Sequence, residues 1–227
     1  MSKAEKNDRA MRLLVVDDHP IVRHGVVQLI EQEPGLEVVA QAGSADEALD
    51  LAESGDYDLA IIDVSLQGVS GLELVKQIRE RGVETPILMM SMHDEAFYAE
   101  RALRAGAQGY VMKQRATEDV ATAIRKVLSG ELYLSDELSA KLLRRAVDGD
   151  VGPGQSGVSQ LSDRELEVLQ LLGQGVSTRD VADQLNLSVK TIESYRANIK
   201  RKLELKNAAE LMRFAVDWVR TSGQTQQ

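Results

Sequence analysis

Apolar residues in the first half of the chain follow two patterns in turn. Residues 12–16 form a short apolar run that stops at Asp17-Asp18, which predicts a buried parallel strand. Pro20 then opens a segment where Ile21, Val22, Val26, Leu29 and Ile30 recur near the helical period, which predicts a helix. The same alternation continues. Strands are predicted at 36–42, 58–62, 85–91 and 108–112. Helices are predicted from a Ser44 cap through 53, then at 71–80, 94–105 and 117–128. Five strand–helix repeats imply parallel strands joined by right-handed crossovers, with helices on both faces of the sheet.

The pattern then changes. One more helix is predicted at 135–147. Residues 148–160 contain Gly149, Gly152, Pro153, Gly154 and Gly157 and almost no large apolar side chain. That composition predicts a flexible linker, whose ends would average roughly 20 Å apart as a free coil. Beyond Leu161 every periodic stretch is helical, at 163–173, 178–185, 189–203 and 208–220. The expected organisation is an α/β domain at 11–130, a connecting stretch with one helix at 131–160, and an all-α domain at 161–222.

Composition narrows the possibilities. The chain has 227 residues and no cysteine, which excludes disulfides and thiolate metal sites. Its first nine residues are polar and charged, and no later apolar run is long enough to span a bilayer. A soluble cytoplasmic protein without membrane contact is expected. The net charge is -9, but it is unevenly placed. Residues 1–160 carry 17 Lys+Arg against 27 Asp+Glu, whereas residues 161–227 carry 10 against 9. Between Lys190 and Lys206 six cations face only Glu193 and Glu204. Salt screening confines a charge's field to roughly 8–10 Å, so this local surplus governs attraction to a phosphate backbone.

In an open parallel sheet, ligands bind beyond the carboxyl ends of the strands. Asp17 and Asp18 follow the first predicted strand, Asp63 the third and Lys113 the fifth, while Ser91 ends the fourth. Singly, an Asp there is usually a turn former and a Lys is usually solvated. Together and in order they point to one site. Three neighbouring carboxylates repel one another, and a divalent cation relieves that repulsion. Oxygen-only ligands with incomplete protein coordination suit Mg²⁺. A carboxylate can attack phosphorus to give an acyl phosphate. Lys113 and the Ser91 hydroxyl could hold the transferred oxygens.

These stretches resemble a response-regulator receiver domain across residues 11–129, flavodoxin-like with strand order 2-1-3-4-5. The matching segments are Leu-Val-Val-Asp-Asp-His-Pro at 14–20, Ile-Ile-Asp-Val-Ser-Leu at 61–66, Gly-Leu-Glu-Leu at 71–74, Met-Ser-Met-His at 90–93 and Gly-Ala-Gln-Gly-Tyr-Val-Met-Lys at 106–113. The resemblance implies that Asp63 is the phosphoacceptor. It also implies that Asp17, Asp18, Asp63 and the backbone carbonyl of Ser65 hold Mg²⁺. Ser91 stands at the family's hydroxyl position and Tyr110 at its switch aromatic. Gln67 stands where the family usually has Pro, which implies a looser loop. Ser65 and His93 occupy the positions through which family members differ in dephosphorylation rate. His19 and His24 read as surface or packing residues.

In the second half, a short helix carrying Val181, Ala182 and Leu185 is followed by an Asn186-Leu187 turn and Ser188, a plausible N-cap. The next helix places Ile192, Tyr195, Ile199 and Leu203 on one stripe, with Val189 at its edge. Lys190, Ser194, Ala197 and Arg201 fall opposite, flanked by Glu193 and Lys200, with Arg196 and Lys202 beside the apolar face. Small polar side chains facing outward can reach base edges, and marginal cations can reach phosphates. Glu193 could accept from cytosine N4 or reject wrong sites. An ordinary amphipathic surface helix is the plainer alternative. The run from Leu161 to Leu203 resembles the LuxR-type four-helix domain of NarL/FixJ response regulators, with Tyr195 where the family often has His. Lys190, Thr191, Glu193, Ser194, Arg196, Ala197, Lys200, Arg201 and Lys202 are the expected DNA contacts.

The two resemblances imply a two-component regulator with a sensor histidine kinase and promoter DNA as partners. A homodimer is expected on phosphorylation, and Leu211, Phe214, Ala215 and Trp218 of the last helix supply a candidate interface, with packing inside the domain an equally good use for part of that face. No enzymatic activity is expected beyond the receiver's own phosphoryl transfer and dephosphorylation. A haloacid-dehalogenase-type phosphatase would need a second Asp where Ser65 stands. A nucleotide-binding enzyme would need a glycine-rich loop where Asp-Asp-His-Pro stands. A regulator that sequesters proteins and never touches DNA remains open on sequence alone.

Overall fold

The central strands of the first half are apolar runs because the sheet is covered on both faces, whereas the edge strand carries exposed Glu37 and Gln41. The computed structural model describes residues 9–92, 95–148 and 157–223. The chain separates into two units, Met1–Ser139 and Ala140–Gln227.

In the first unit, β1 (Met11–Val16), α1 (Pro20–Glu31), β2 (Leu36–Ala42), α2 (Ala45–Ser54), β3 (Leu59–Asp63), α3 (Gly71–Glu80), β4 (Ile87–Ser91), α4 (Glu95–Ala105), β5 (Gly109–Met112) and α5 (Ala116–Leu128) alternate without exception. All neighbouring strands are parallel, in the order β2-β1-β3-β4-β5. The expected flavodoxin-like sheet is therefore what forms. Successive strand residues face opposite sides of the sheet. Leu13, Val15, Leu59, Ile61, Leu88 and Met90 pack with Val26, Val27 and Ile30 of α1 and with Val120, Ile124 and Val127 of α5. Their neighbours Leu14, Val16, Ala60, Ile62, Ile87 and Met89 are equally buried, as a sheet covered on its other face demands.

Strand ends differ slightly from the pattern-based limits. Asp58 lies outside β3, although its amide donates to the carbonyl of Arg12 at 2.7 Å and its carboxylate accepts from Arg12 N. Thr85 and Pro86 precede β4, and proline has no N–H to give a ladder. Ser44 and Ser70 cap α2 and α3 through the amides of Glu47 and Glu73.

The stretch after α5 holds a feature the hydrophobic pattern does not announce. Tyr133 forms a parallel bridge with Gly109. Its amide donates to the Gln108 carbonyl at 3.0 Å, and its carbonyl accepts from Tyr110 N at 2.9 Å. Residues around Tyr133 thus close the outer edge of β5. Glycine suits the approach, because a Cβ at Gly109 would crowd it, standing 3.1 Å from the Tyr133 carbonyl oxygen and 2.8 Å from Leu88 Cδ1. Glu95 of α4 fixes the next turn by accepting from Ser135 N at 2.8 Å. α6 (Asp136–Asp148) begins there.

The second unit contains α7 (Asp163–Gly173), α8 (Thr178–Gln184), α9 (Val189–Lys202) and α10 (Ala208–Gly223). Most of the linker expected at 148–160 lies outside the described residues. Its last part, Val158–Gln160, is a 3₁₀ turn with Val158 buried. α7 starts at a reciprocal capping box between Ser162 and Glu165. It is buried nearly all round, including Arg164, Glu165, Glu167 and Gln170. The Arg164–Glu167 pair at 2.6 Å neutralises two of those charges.

Candidate functional site

Sheet register brings the first unit's polar residues together. Val16 pairs with Ile62, so Asp17 and Asp63 emerge side by side from β1 and β3. Asp63 pairs with Met90 and Ser91 with Met112, so Ser91 and Lys113 follow at the same end of β4 and β5. Lys113 spans the group. Its Nζ is 2.7 Å from Asp17 Oδ2 and 2.7 Å from Asp63 Oδ2. Asp17, Asp63 and Ser91 are all buried.

Backbone contacts hold the carboxylates in place. Asp17 Oδ1 accepts from the amide of His19 at 2.8 Å, and the Arg23 guanidinium donates to the Asp17 carbonyl. The Ser65 amide donates to the Asp63 carboxylate. Beyond Asp63 the chain doubles back, with Gly71 N donating to the Val64 carbonyl at 2.7 Å. A Cβ on Gly71 would lie 1.9 Å from the Asp63 carbonyl oxygen, so the start of α3 can abut the acceptor only as glycine. Gln67 is exposed beside Gly68, whose φ of 81° makes the turn, and Leu66 is buried beneath it.

Burial pushes the Asp63 carboxyl up to about 6, and the charge of Asp17 adds to that rise. Lys113 and the Ser65 amide oppose it. For Lys113, burial alone would depress the ammonium, but Asp63 and Asp17 outweigh it and its pKa is raised. When Asp17, Asp18 and Asp63 are all ionised, one ammonium leaves two negative charges uncompensated. A divalent cation balances that residue. Ligand atoms of Asp17, Asp18, His19 and Asp63 lie within 4.8 Å of one another, which is the spread a single ion spans. The donor set therefore fits a divalent metal.

Tyr110 is buried in β5. The His93 position lies outside the described residues. His19, expected as a surface or packing residue, is exposed and also turns its ring towards the carboxylates, with Nδ1 2.7 Å from Asp18 Oδ1.

In the second unit, Ser188 caps α9 by accepting from Thr191 N at 3.0 Å, and its hydroxyl lies 2.7 Å from the Thr191 hydroxyl. Asn186 makes the preceding turn with φ 50°, a conformation Asn tolerates better than most residues. Ile192 and Ile199 anchor the helix in the core. Lys190, Glu193, Ser194, Ala197 and Arg201 are exposed, and Thr191 and Lys200 are half-buried. Arg196 braces the motif, its Nη1 donating to Thr178 Oγ1 and to Glu193 Oε1, both at 2.7 Å.

Lys202 has partners within its own unit. Its ammonium is 2.6 Å from the buried Glu165 carboxylate and 3.0 Å from the Gln160 carbonyl. Helical periodicity placed it at the margin, but its partner lies 37 positions earlier, in the capping box of α7.

A five-stranded parallel sheet with an acidic pocket at its carboxyl edge, followed by a helix-turn-helix, defines a receiver joined to a DNA-binding domain. Comparison with known proteins agrees. Residues 13–125 match the response regulator receiver domain, and residues 159–215 match the bacterial regulatory proteins of the luxR family. The chain is 36% identical over 196 residues to the nitrate/nitrite response regulator protein NarP of Escherichia coli K12, covering 86% of this chain and 90% of that one. It is 32% identical to the nitrate/nitrite response regulator protein NarL of the same organism, covering 94% and 96%. Among solved structures, RcsB of Salmonella enterica serovar Typhimurium bound to promoter rprA with phosphomimetic BeF3- aligns with TM-score 0.59 and 26% identity, over 92% of this chain and 99% of that one. The chain belongs to the NarL/FixJ family of response regulators, DNA-binding transcription regulators with a receiver domain and a LuxR-type helix-turn-helix. Among the described residues no helix is long and apolar enough to cross a membrane.

Proposed function

We propose that this response regulator is controlled by phosphorylation of Asp63, with a sensor histidine kinase as donor and promoter DNA as the target of α9. The observation that carries the reading is the Lys113 ammonium held at 2.7 Å from both Asp17 and Asp63. An Asp63 carboxylate oxygen attacks the donor's phosphorus and a new P–O bond forms. The bond from phosphorus to the donor breaks, and the donor nitrogen leaves with its electron pair and takes up a proton. Lys113 then turns from the carboxylates to a phosphoryl oxygen, and the Ser91 hydroxyl donates to another. Asp17, Asp18, Asp63 and the Ser65 carbonyl would hold Mg²⁺, which supplies positive charge against the phosphoryl oxygens. Water attacks the phosphorus of this mixed anhydride, the bond to the Asp63 oxygen breaks, and inorganic phosphate leaves as the carboxylate is restored, so the receiver turns over only its own modification.

On the DNA side, Lys190, Glu193, Ser194, Ala197 and Arg201 face base edges and Lys200 serves phosphates, while Arg196 and Lys202, each tied to a carboxylate, brace the motif and Thr191 supports the first turn. That a solved relative was captured on promoter DNA in the presence of a phosphomimetic supports both halves of the reading. Incubation with a small phosphodonor and Mg²⁺ should add one phosphoryl group, read by intact mass. Chelation should prevent it, and so should Asp63→Asn, because an amide is a poor nucleophile. Full labelling of the Asn variant would overturn the assignment.

A further inference from the structure

One group in the acidic pocket has no part in the phosphoryl chemistry just described. His19 follows Asp18 at the N-cap position of α1, yet its side chain makes no capping hydrogen bond. The imidazole is half-exposed, and the Asp18 side chain is only 8% exposed. His19 Nδ1 lies 2.7 Å from Asp18 Oδ1 and 3.6 Å from Asp17 Oδ1. Despite that approach, Asp18 Oδ1 is a buried atom without an aligned hydrogen-bond donor. A ring nitrogen and a buried carboxylate oxygen thus stand side by side in a poorly aligned ion pair, an arrangement that a shared cation can replace.

The spacing is right for such an ion. Asp17, Asp18, His19 and Asp63 each offer one ligand atom, and all four lie within 4.8 Å of one another. Opposite ligands of a first-row ion stand roughly 4–4.4 Å apart at bond lengths of about 2.0–2.2 Å. Lys113 engages Asp17 and Asp63 through one oxygen of each, so it does not occupy Asp18 or the imidazole. Mg²⁺ prefers oxygen and keeps its waters, whereas neutral imidazole suits the first-row transition ions.

We propose that His19 is a nitrogen ligand of the pocket cation, and that it makes the pocket prefer a first-row divalent ion over Mg²⁺, with Mn²⁺ as the paramagnetic probe. The inference rests on the reading of the acidic pocket as a divalent-cation site. It adds a ligand from the β1–α1 loop to the oxygen set.

Pulsed electron paramagnetic resonance of Mn²⁺ bound to the full chain reads the ligand directly. The wild-type spectrum should carry the ¹⁴N modulation of a coordinated imidazole. His19→Asn should abolish that signal, while His24→Asn and His93→Asn should retain it. Asn is a favoured N-cap, so the start of α1 should survive, and circular dichroism checks that it does. Competition titration should show the preference for Mn²⁺ over Mg²⁺ narrowing about ten-fold or more in His19→Asn. Absence of nitrogen coupling in the wild type, its persistence in His19→Asn, or an unchanged preference would overturn the inference. If Mg²⁺ still supports labelling of Asp63 in that event, the pocket reading stands and only the imidazole ligand falls. If neither ion binds, both fall.

Discussion

Asp63 combines two demands that oppose each other, burial and ionisation. Without metal, burial raises its carboxyl from 3.8 to about 6. The folded state therefore holds its proton over a range where the unfolded state has lost it. Stability contributed by this group falls as pH rises from about 4 to about 6, since the native form then binds more protons than the unfolded form. Denaturant titrations in chelator should show wild type losing stability relative to Asp63→Asn across that window, and added Mg²⁺ should flatten the difference. An unchanged difference between pH 4 and pH 7 would show that the raised value is wrong. Gly71 belongs to the same scale. Its missing side chain lets α3 begin against the acceptor's own carbonyl, and the 1.9 Å approach leaves no room for a methyl group. Gly71→Ala should cost about 2 kcal/mol of receiver stability and slow labelling of Asp63, read by melting and by intact mass. Equal melting temperatures would mean that α3 can shift away freely.

At the scale of elements, α9 divides its cations between two tasks. Arg201 and Lys190 are exposed, whereas Lys202 holds Glu165. Burial pushes the Glu165 carboxyl up, but the Lys202 hydrogen bond and the Ser162 amide outweigh it and leave its pKa below the usual 4.5. The pair therefore contributes stability above that value, and the contribution is lost as pH falls below it. Lys202→Ala should destabilise the helical unit by about 3 kcal/mol, because it strands a buried carboxylate. Arg201→Ala should leave melting nearly unchanged and reduce the salt dependence of DNA binding by about one counterion. Weakened DNA binding by fully folded Lys202→Ala would return that residue to the interface. The split between these cations was not legible in the sequence. Periodicity shows which face of α9 a side chain occupies, but the Lys202–Glu165 pairing depends on how α7 and α9 cross. The strands, by contrast, were legible, because a sheet covered on both faces needs continuous apolar runs, and so were the Ser44 and Ser188 caps. Asp17, Asp63 and Lys113 were also legible as a set, since strand ends converge in any open parallel sheet. Tyr133 was not, because one residue of edge pairing leaves no alternation to read. The ring of His19 also escaped, as nothing in the order Asp-Asp-His fixes a side-chain rotamer.

For the whole molecule, the useful boundaries are those of buried residues. Val158 is buried ahead of α7, and the Gln160 carbonyl accepts from Lys202. A helical fragment beginning at Gly157 should fold and bind DNA without phosphodonor, whereas one beginning at Leu161 should melt lower. In the full chain, phosphorylation should shift the protein towards a dimer and tighten DNA binding, since one recognition helix reads too few base pairs for useful specificity. Sedimentation and DNA titration with a phosphoryl mimic should show both changes together. Unchanged mass and affinity with Asp63 occupied would point to a constitutive regulator.

The Tyr133 bridge also bears on how copies of this chain can meet. An open strand edge is a template on which another chain can add a strand, and proteins that leave one bare are prone to fibrillar association. Here the N–H of Tyr110 and the carbonyl of Gln108 are already taken by Tyr133. Strand addition at the Gly109 end of β5 is thereby blocked. A receiver trimmed at residue 130 would lose that protection and present β5 bare.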